Sequence, residues 1–377
     1  MFIWRHRPPR RAPRCWRWPW GTGPTRPAPD PRLPRPASPI RPAAGVLILL
    51  LSCLAARAGL AADSLRCAAC GQEITGTYVT ALDRTWHPEH FACAGCGRAL
   101  AGESFLAHDG AAYCPACYHE RFSARCAICA QPLTTAYAED AWGNRYHPRH
   151  TQEVSACSSC GRLICSALTR GGVRYGDGRA LCTLCRATSV DEAGAAGRLL
   201  EQVRAGLVAA GLPFVQPNLP VRLVSLQDLS RLAGNDRAHG RTQTVLETRH
   251  GRVVARRIEE ITILYGLPAE HFCAVAAHEL GHVYLFEQGF ADLPRQVEEG
   301  VCELLSCLWL GTRAGPEAAF HAERKRLSDD PLYGAGLRSA LDALQGRSLA
   351  EVLDHVRQHR AFPDPLPAAA IRAGQGE

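Results

Sequence analysis

No uncharged stretch of this sequence reaches the ~20 residues typical of a helical membrane span. Positive charge is also scarce where a folded domain could use it. The formal net charge is +7, but residues 1–62 hold eleven Arg and one Asp, leaving 32 basic against 35 acidic residues beyond them. No nucleic-acid footprint survives that division. Residues 1–42 in turn lack any apolar period that could bury a face, and their Arg, Pro and Trp content reads as a disordered tail.

What apolar length there is lies at Ala43–Ala56, fourteen residues without a charge centred on Val46–Leu51. That suits the h-region of a signal peptide, and small residues follow at Ala58, Gly59, Ala61 and Ala62. Residues 43–62 are therefore expected to be a signal peptide or a membrane anchor, with Cys53 in a loose lipobox as a third form of tether. The expected location is exported or cell-envelope associated, or cytoplasmic if this segment is not used.

Cysteine, by contrast, is abundant. Of eighteen, twelve fall in six C-x-x-C pairs, at 67/70, 93/96, 114/117, 126/129, 157/160 and 182/185, and two thiols that close in sequence chelate zinc readily. The first run is Cys67-x2-Cys70, sixteen residues, His87-x2-His90, two residues, Cys93-x2-Cys96, seventeen residues, Cys114-x2-Cys117. Eight ligands make two closed, structural zinc sites. Disulfide pairing would leave both histidines unexplained.

This run resembles a LIM domain over residues 65–122. The resemblance implies Cys67, Cys70, His87 and His90 on one zinc, and Cys93, Cys96, Cys114 and Cys117 on the other, with Trp86 and Phe91 filling the small core. A second copy at 124–188 offers Cys126, Cys129, His147, His150, Cys157, Cys160, Cys182 and Cys185. It is atypical, with six residues between His150 and Cys157 where a LIM domain has two, which makes His150 its weakest ligand. Cys165 has no partner at LIM spacing and reads as a buried thiol.

Beyond residue 190 the key stretch is Ala277-His278-Glu279-Leu280-Gly281-His282. Residues four apart share a helix face, so His278 and His282 can hold one metal ion with Glu279 beside the open coordination site. Zinc there would polarise a peptide carbonyl and acidify water, with Glu279 taking the proton. The surroundings fit a buried helix: Arg257–Leu264 reads as a strand, Gly266-Leu267-Pro268 ends it, and Phe272 to Val283 is apolar on most sides. A third ligand is needed, and the helix opened by Asp292 and Pro294 offers two adjacent carboxylates, Glu298 and Glu299.

Elsewhere in this lobe a helix is expected over Asp191–Ala210, a strand at Val221–Leu226 and an irregular stretch from Gly234 to Gly251. Further helices are expected at Phe320–Leu327, at Gly336–Leu344 and from the capping box Ser348–Glu351 to Arg360. His321 and Tyr333 are candidate oxyanion donors. Cys273, Cys302 and Cys307 read as core thiols or one disulfide rather than as nucleophiles. Strands first and helices later predict an α+β fold: two small zinc-ribbon-like modules, then a peptidase lobe at 190–365.

A Glu just before a small residue on the following helix resembles the third ligand of the thermolysin-like (gluzincin) superfamily, which favours Glu299 over Glu298. The whole arrangement resembles the DA-one-type LIM peptidases, the ubiquitin-activated peptidases that limit organ size in plants. The similarity runs from the first LIM module through Ile261–Leu267, Ala277–His282 and Gln296–Cys302 to Asp330–Gly334. It implies a zinc endopeptidase with His278, His282 and a Glu of the 298–299 pair as ligands, Glu279 as catalyst, one catalytic and about four structural zinc ions. Protein or peptide substrates are implied, with the LIM modules as the recognition or regulatory surface and no nucleic-acid partner. The plant members carry ubiquitin-interacting helices where this chain has its Arg/Pro tail, so regulation by ubiquitin is not carried over. The competing reading is a non-enzymatic LIM scaffold with an inactive peptidase-like lobe.

Overall fold

A computed structural model describes residues 65–366 except 235–237, 250–251 and 291. The tail at 1–42 and the apolar segment at 43–62 lie outside the described residues. Among the described residues no helix is long and apolar enough to cross a membrane.

The chain opens with two zinc-ribbon-like modules built from two-stranded hairpins. In the first, β1 (Val79–Ala81) pairs with β2 (Arg84–Trp86), β3 (Leu106–His108) pairs with β4 (Ala111–Tyr113), and helix α1 (Pro115–Phe122) follows. Cys114 caps α1, its sulfur accepting from the Cys117 N–H, so one C-x-x-C pair both starts a helix and gathers two thiols. The core is correspondingly small: Phe91 and Leu100 with Trp86 and Phe105 packed around them.

The second module repeats the plan with β5 (Ala138–Glu139) and β6 (Arg145–Tyr146), short helices α2 (His150–Glu153) and α3 (Ser166–Thr169), then β7 (Gly172–Arg174), β8 (Ala180–Cys182) and α4 (Thr183–Arg186). The residues that make its sequence atypical are absorbed by α2, a single helical turn that begins at His150 itself. Cys165 is half-buried rather than buried and stands at the N-cap position of α3 without a side-chain hydrogen bond to it.

Strand β9 (Ser189–Val190) then leads into the α+β lobe through α5 (Ala193–Ala209), β10 (Val221–Val224), α6 (Leu226–Ala233), β11 (Gly240–Arg249), β12 (Arg252–Leu264) and β13 (Leu267–Pro268). Five helices follow: α7 (Ala269–Glu287), α8 (Arg295–Gly311), α9 (Pro316–Arg326), α10 (Tyr333–Ala343) and α11 (Leu349–His359). The sheet has the order β10-β12-β11, with β10 parallel and β11 antiparallel to β12. The sequence predicts an irregular segment where β11 stands, since its residues are polar; pairing with β12 along a long hairpin, not burial, makes it a strand. The capping box at Ser348 forms as predicted, with the Glu351 side chain on the Ser348 N–H and the Ser348 hydroxyl on the Glu351 N–H.

The core lies between the sheet and α7. Ile258, Ile261, Ile263 and Leu264 of β12 meet Leu200, Val203 and Leu207 of α5, Phe272, Ala276, Leu280 and Val283 of α7, and Val301 and Leu305 of α8. Each such side chain contributes roughly 1.5–3 kcal/mol by leaving water, so α7 is held on every side. Cys273 and Cys302 are buried free thiols in this core and Cys307 is one in a neighbouring cluster with Leu304, Leu337 and Ala340, with no disulfide among the three.

Candidate metal centre

α7 carries His278 and His282 one turn apart, and both rings turn toward one oxygen. Glu299 Oε2 on α8 lies 3.2 Å from His278 Nε2 and 3.6 Å from His282 Nε2. That oxygen is buried and makes no hydrogen bond. A buried acceptor left unpaired is costly, and a cation between it and two imidazole nitrogens satisfies all three. The residues therefore fit a metal with two imidazoles and one carboxylate.

Glu298, its alternative in sequence, faces the far side of the site: its Oε1 is 3.0 Å from His282 Nδ1. A third acid that sequence reasoning missed, Glu303, stands one turn beyond Glu299 with Oε1 3.1 Å from His278 Nδ1. His282 thus has a hydrogen-bonded carboxylate at the ring nitrogen turned away from the centre, the arrangement that fixes tautomer and ring orientation in metal sites, while Glu303 stands at ion-pair distance from His278 Nδ1 without a directed hydrogen bond. Lys325 Nζ donates to the other Glu303 oxygen at 2.7 Å.

The electrostatics follow from burial against pairing. Burial pushes the His278 ring down, but Glu299 and Glu303 bring it up to about 10. Burial alone would raise both carboxyls. Instead, His278 and His282 hold Glu299 well below the usual carboxylate range, and Lys325 with His278 brings Glu303 to about 2. Both carboxylates are charged acceptors at neutral pH.

α8 can approach this closely because Gly281 has no side chain: a Cβ there would lie 2.9 Å from both Cα and Sγ of Cys302. Cys302 is consequently part of the site's surroundings, its thiol grouped with His278 and His282 with potential ligand atoms all within 4.8 Å. Packed where the two helices touch, it is a second donor beside Glu299, whose oxygen is the unpaired one.

Glu279 lies buried beside these ligands under the sheet. Thr242 Oγ1 of β11 donates to Glu279 Oε2 at 2.8 Å and lies 3.1 Å from its main-chain oxygen. Gly240 brings the strand close enough that a Cβ would sit 2.5 Å from Glu279 Oε1. Tyr333, at the start of α10, has its ring 6.0 Å from that of His278, and burial followed by the Glu299 charge pushes its phenol up to about 12. His321, the other candidate donor, stacks at 4.4 Å on His271 instead, two turns back along α7 from His278.

The cysteine sites assemble as spaced. Cys67, Cys70, His87 and His90 form one cluster and Cys93, Cys96, Cys114 and Cys117 a second; Cys126, Cys129, His147 and His150 form a third and Cys157, Cys160, Cys182 and Cys185 a fourth. In the first, burial raises the Cys67 thiol, but N–H groups of His87, Cys70 and Ala69 bring it down to about 5, a thiolate ready for metal. His150, the doubtful ligand by spacing, pairs its Nδ1 with Glu153 Oε2 at 2.6 Å and keeps a buried Nε2 free of hydrogen bonds. An orphaned ring nitrogen facing two thiols and a second imidazole fits a zinc ligand.

Residues 67–122 match the family model for the LIM domain, and residues 221–328 match the DA1-like model, described as Protein DA1. Protein DA1 of Arabidopsis thaliana is 26% identical over 79% of this chain and 68% of its own length. Protein DA1-related 2 of the same plant is 28% identical over 79% of this chain and 69% of its own length. The LIM domain-containing protein HDR3 of Oryza sativa subsp. japonica is 25% identical, covering 79% and 74%.

These relatives overturn the expectation of an exported or envelope-tethered chain. They are plant LIM and DA1 proteins, and the apolar composition of residues 43–62 is the sole feature that suggested export.

Proposed function

We propose, on the premise that the chain belongs to the DA1-type LIM family, that its α+β lobe is a zinc-dependent endopeptidase whose LIM modules recognise or regulate protein substrates. The observation that carries the reading is the buried, unpaired Glu299 Oε2 facing the Nε2 atoms of His278 and His282, with Glu279 alongside. Zinc bound there would supply Lewis-acid polarisation of the scissile carbonyl and acidify water.

The chain's own residues supply the rest. Glu279 accepts the proton from the attacking water and can return it to the leaving amine, and Thr242 keeps its Oε2 in place by hydrogen bonding. Tyr333, protonated at neutral pH, is a donor for the negative charge that develops on the carbonyl oxygen. Glu298 holds the His282 imidazole in its ligating orientation by hydrogen bonding, and the Glu303 charge, 3.1 Å from His278 Nδ1, attracts the other ring.

The test is zinc content and peptidase activity of the native chain and of Glu279→Gln. Both should bind about five zinc ions, while activity falls by roughly 10²–10⁴-fold in the variant. Equal activity would remove Glu279 from the mechanism. Zinc binding without activity in either would favour the scaffold reading.

A further inference from the structure

α9 lies between two metal clusters and touches the surroundings of both. Consecutive residues do this. Arg324 Nη1 donates to the main-chain oxygen of Ser159 at 3.0 Å, and its Nη2 lies 3.0 Å from His271 Nε2. Ser159 sits inside the Cys157-x-x-Cys160 knuckle, and its own hydroxyl is 3.0 Å from His271 Nδ1 on α7. Lys325, the only lysine in the chain, reaches the other way to Glu303, whose other oxygen lies 3.1 Å from His278 Nδ1. An aromatic stack fastens the same helix to the second LIM module: Phe320 lies 4.9 Å from Trp142, whose indole N–H donates to Cys160 O at 2.8 Å. The module's exit strand β9 pairs with β13 immediately before α7 begins.

We propose that α9 couples the two clusters: metal in the Cys157/Cys160/Cys182/Cys185 lobe positions Arg324 and Lys325, and through Glu303 thereby sets how tightly the His278/His282/Glu299 centre retains its metal. Without zinc the four thiols of that lobe have no common partner and the knuckle loses the shape that presents Ser159 O to Arg324. Once Arg324 is released, Lys325 on the same turn no longer has a fixed approach to Glu303, and the His278 ring loses its brace. Lys325 and Arg324 are on this account positioning residues, and the last zinc lobe belongs mechanically to the peptidase lobe. The inference rests on the proposed metal at His278, His282 and Glu299.

The experiment counts zinc retained per full-length chain against rising chelator, in the native protein and in His282→Ala, Lys325→Met, Lys325→Arg, Arg324→Lys and Cys160→Ser. His282→Ala should bind one ion fewer than native, which identifies the ion at that centre. Lys325→Met should bind the full set but release that ion at roughly 10–100-fold lower chelator, the usual effect of losing an outer-sphere partner. Arg324→Lys should shift it in the same direction, and Lys325→Arg should restore most of the loss. Cys160→Ser should lose its own ion and hold the central one as weakly as Lys325→Met. An unchanged release midpoint in both Lys325→Met and Arg324→Lys would overturn the coupling, even if Cys160→Ser fails to fold. If His282→Ala binds as many ions as native, the metal centre itself is wrong, and the coupling falls with it.

Discussion

Glu298 and His282 form a pair on the outer side of the candidate metal centre, Oε1 to Nδ1 at 3.0 Å, while the neighbouring Glu299 faces the same ring from the inner side. Adjacent acids on one helix thus have different work. Glu299→Gln should abolish zinc binding at this centre, whereas Glu298→Gln should keep the ion at about 10–100-fold lower affinity. Competition with a chelator distinguishes the two, and equal losses would mean that the roles are not divided this way.

The contact of β11 with Glu279 predicts a graded pair of defects. Thr242→Val removes the hydroxyl that bonds Oε2 and should lower kcat about 10-fold with zinc content and KM little changed. Gly240→Ala drives a methyl to within 2.5 Å of Oε1 and 2.7 Å of Val275, so it should destabilise the lobe by about 1–3 kcal/mol and lower kcat further. In a Glu279→Gln background Thr242→Val should add nothing, and an additive double mutant would show that Thr242 acts elsewhere.

In the second LIM module, Glu153 is the brace of His150. Glu153→Ala should weaken zinc at the Cys126/Cys129/His147/His150 cluster by about 10–100-fold and leave the other clusters unchanged. Zinc counting at limiting chelator gives the answer, and an unaffected cluster would return His150 to the status of an ordinary buried histidine.

Acid should loosen the buried histidines of the α7–α9 contact. Burial, then Arg324 and Lys325, brings His321 down to about 3, and burial likewise holds His271 well below its usual value. Both are neutral when folded, so the unfolded chain takes up more protons once the pH drops below about 6.5, and stability falls as pH falls. At pH 5.5 the loss from His321 is about 1 kcal/mol, and His271 adds a loss of the same sign. His321→Phe should flatten the decline of melting temperature between pH 7.5 and 5.5, and an unchanged slope would assign the acid limb to other groups.

The sequence was most informative where chemistry demands fixed spacing. The Cys and His clusters follow from chelation geometry, and His278, Glu279 and His282 follow from helix period. Glu303 was equally readable in principle, one turn past Glu299, yet it appears in sequence as another charge on a helix. Cys302 looked like a core thiol and is one; its nearness to His282 depends on the close crossing at Gly281, which no spacing rule encodes. β11 escaped because its β-branched Thr242, Thr244, Val245 and Thr248 are mostly polar and stand among charged residues, so that only its pairing with β12 defines it as a strand. His239, His271 and His321 come together from three distant elements, so each was a single histidine with nothing nearby in sequence to mark it.

Among the described residues β11 has a strand on one side only, β12, and its Thr242 touches Glu279 of α7. A substrate segment laid along the other side of β11 would be gripped through amide and carbonyl groups common to all polypeptides. Such a cleft reads little of what it cuts. Selectivity for particular proteins would then have to be delivered by the zinc modules upstream, making the chain a broad blade whose aim is set by its handle.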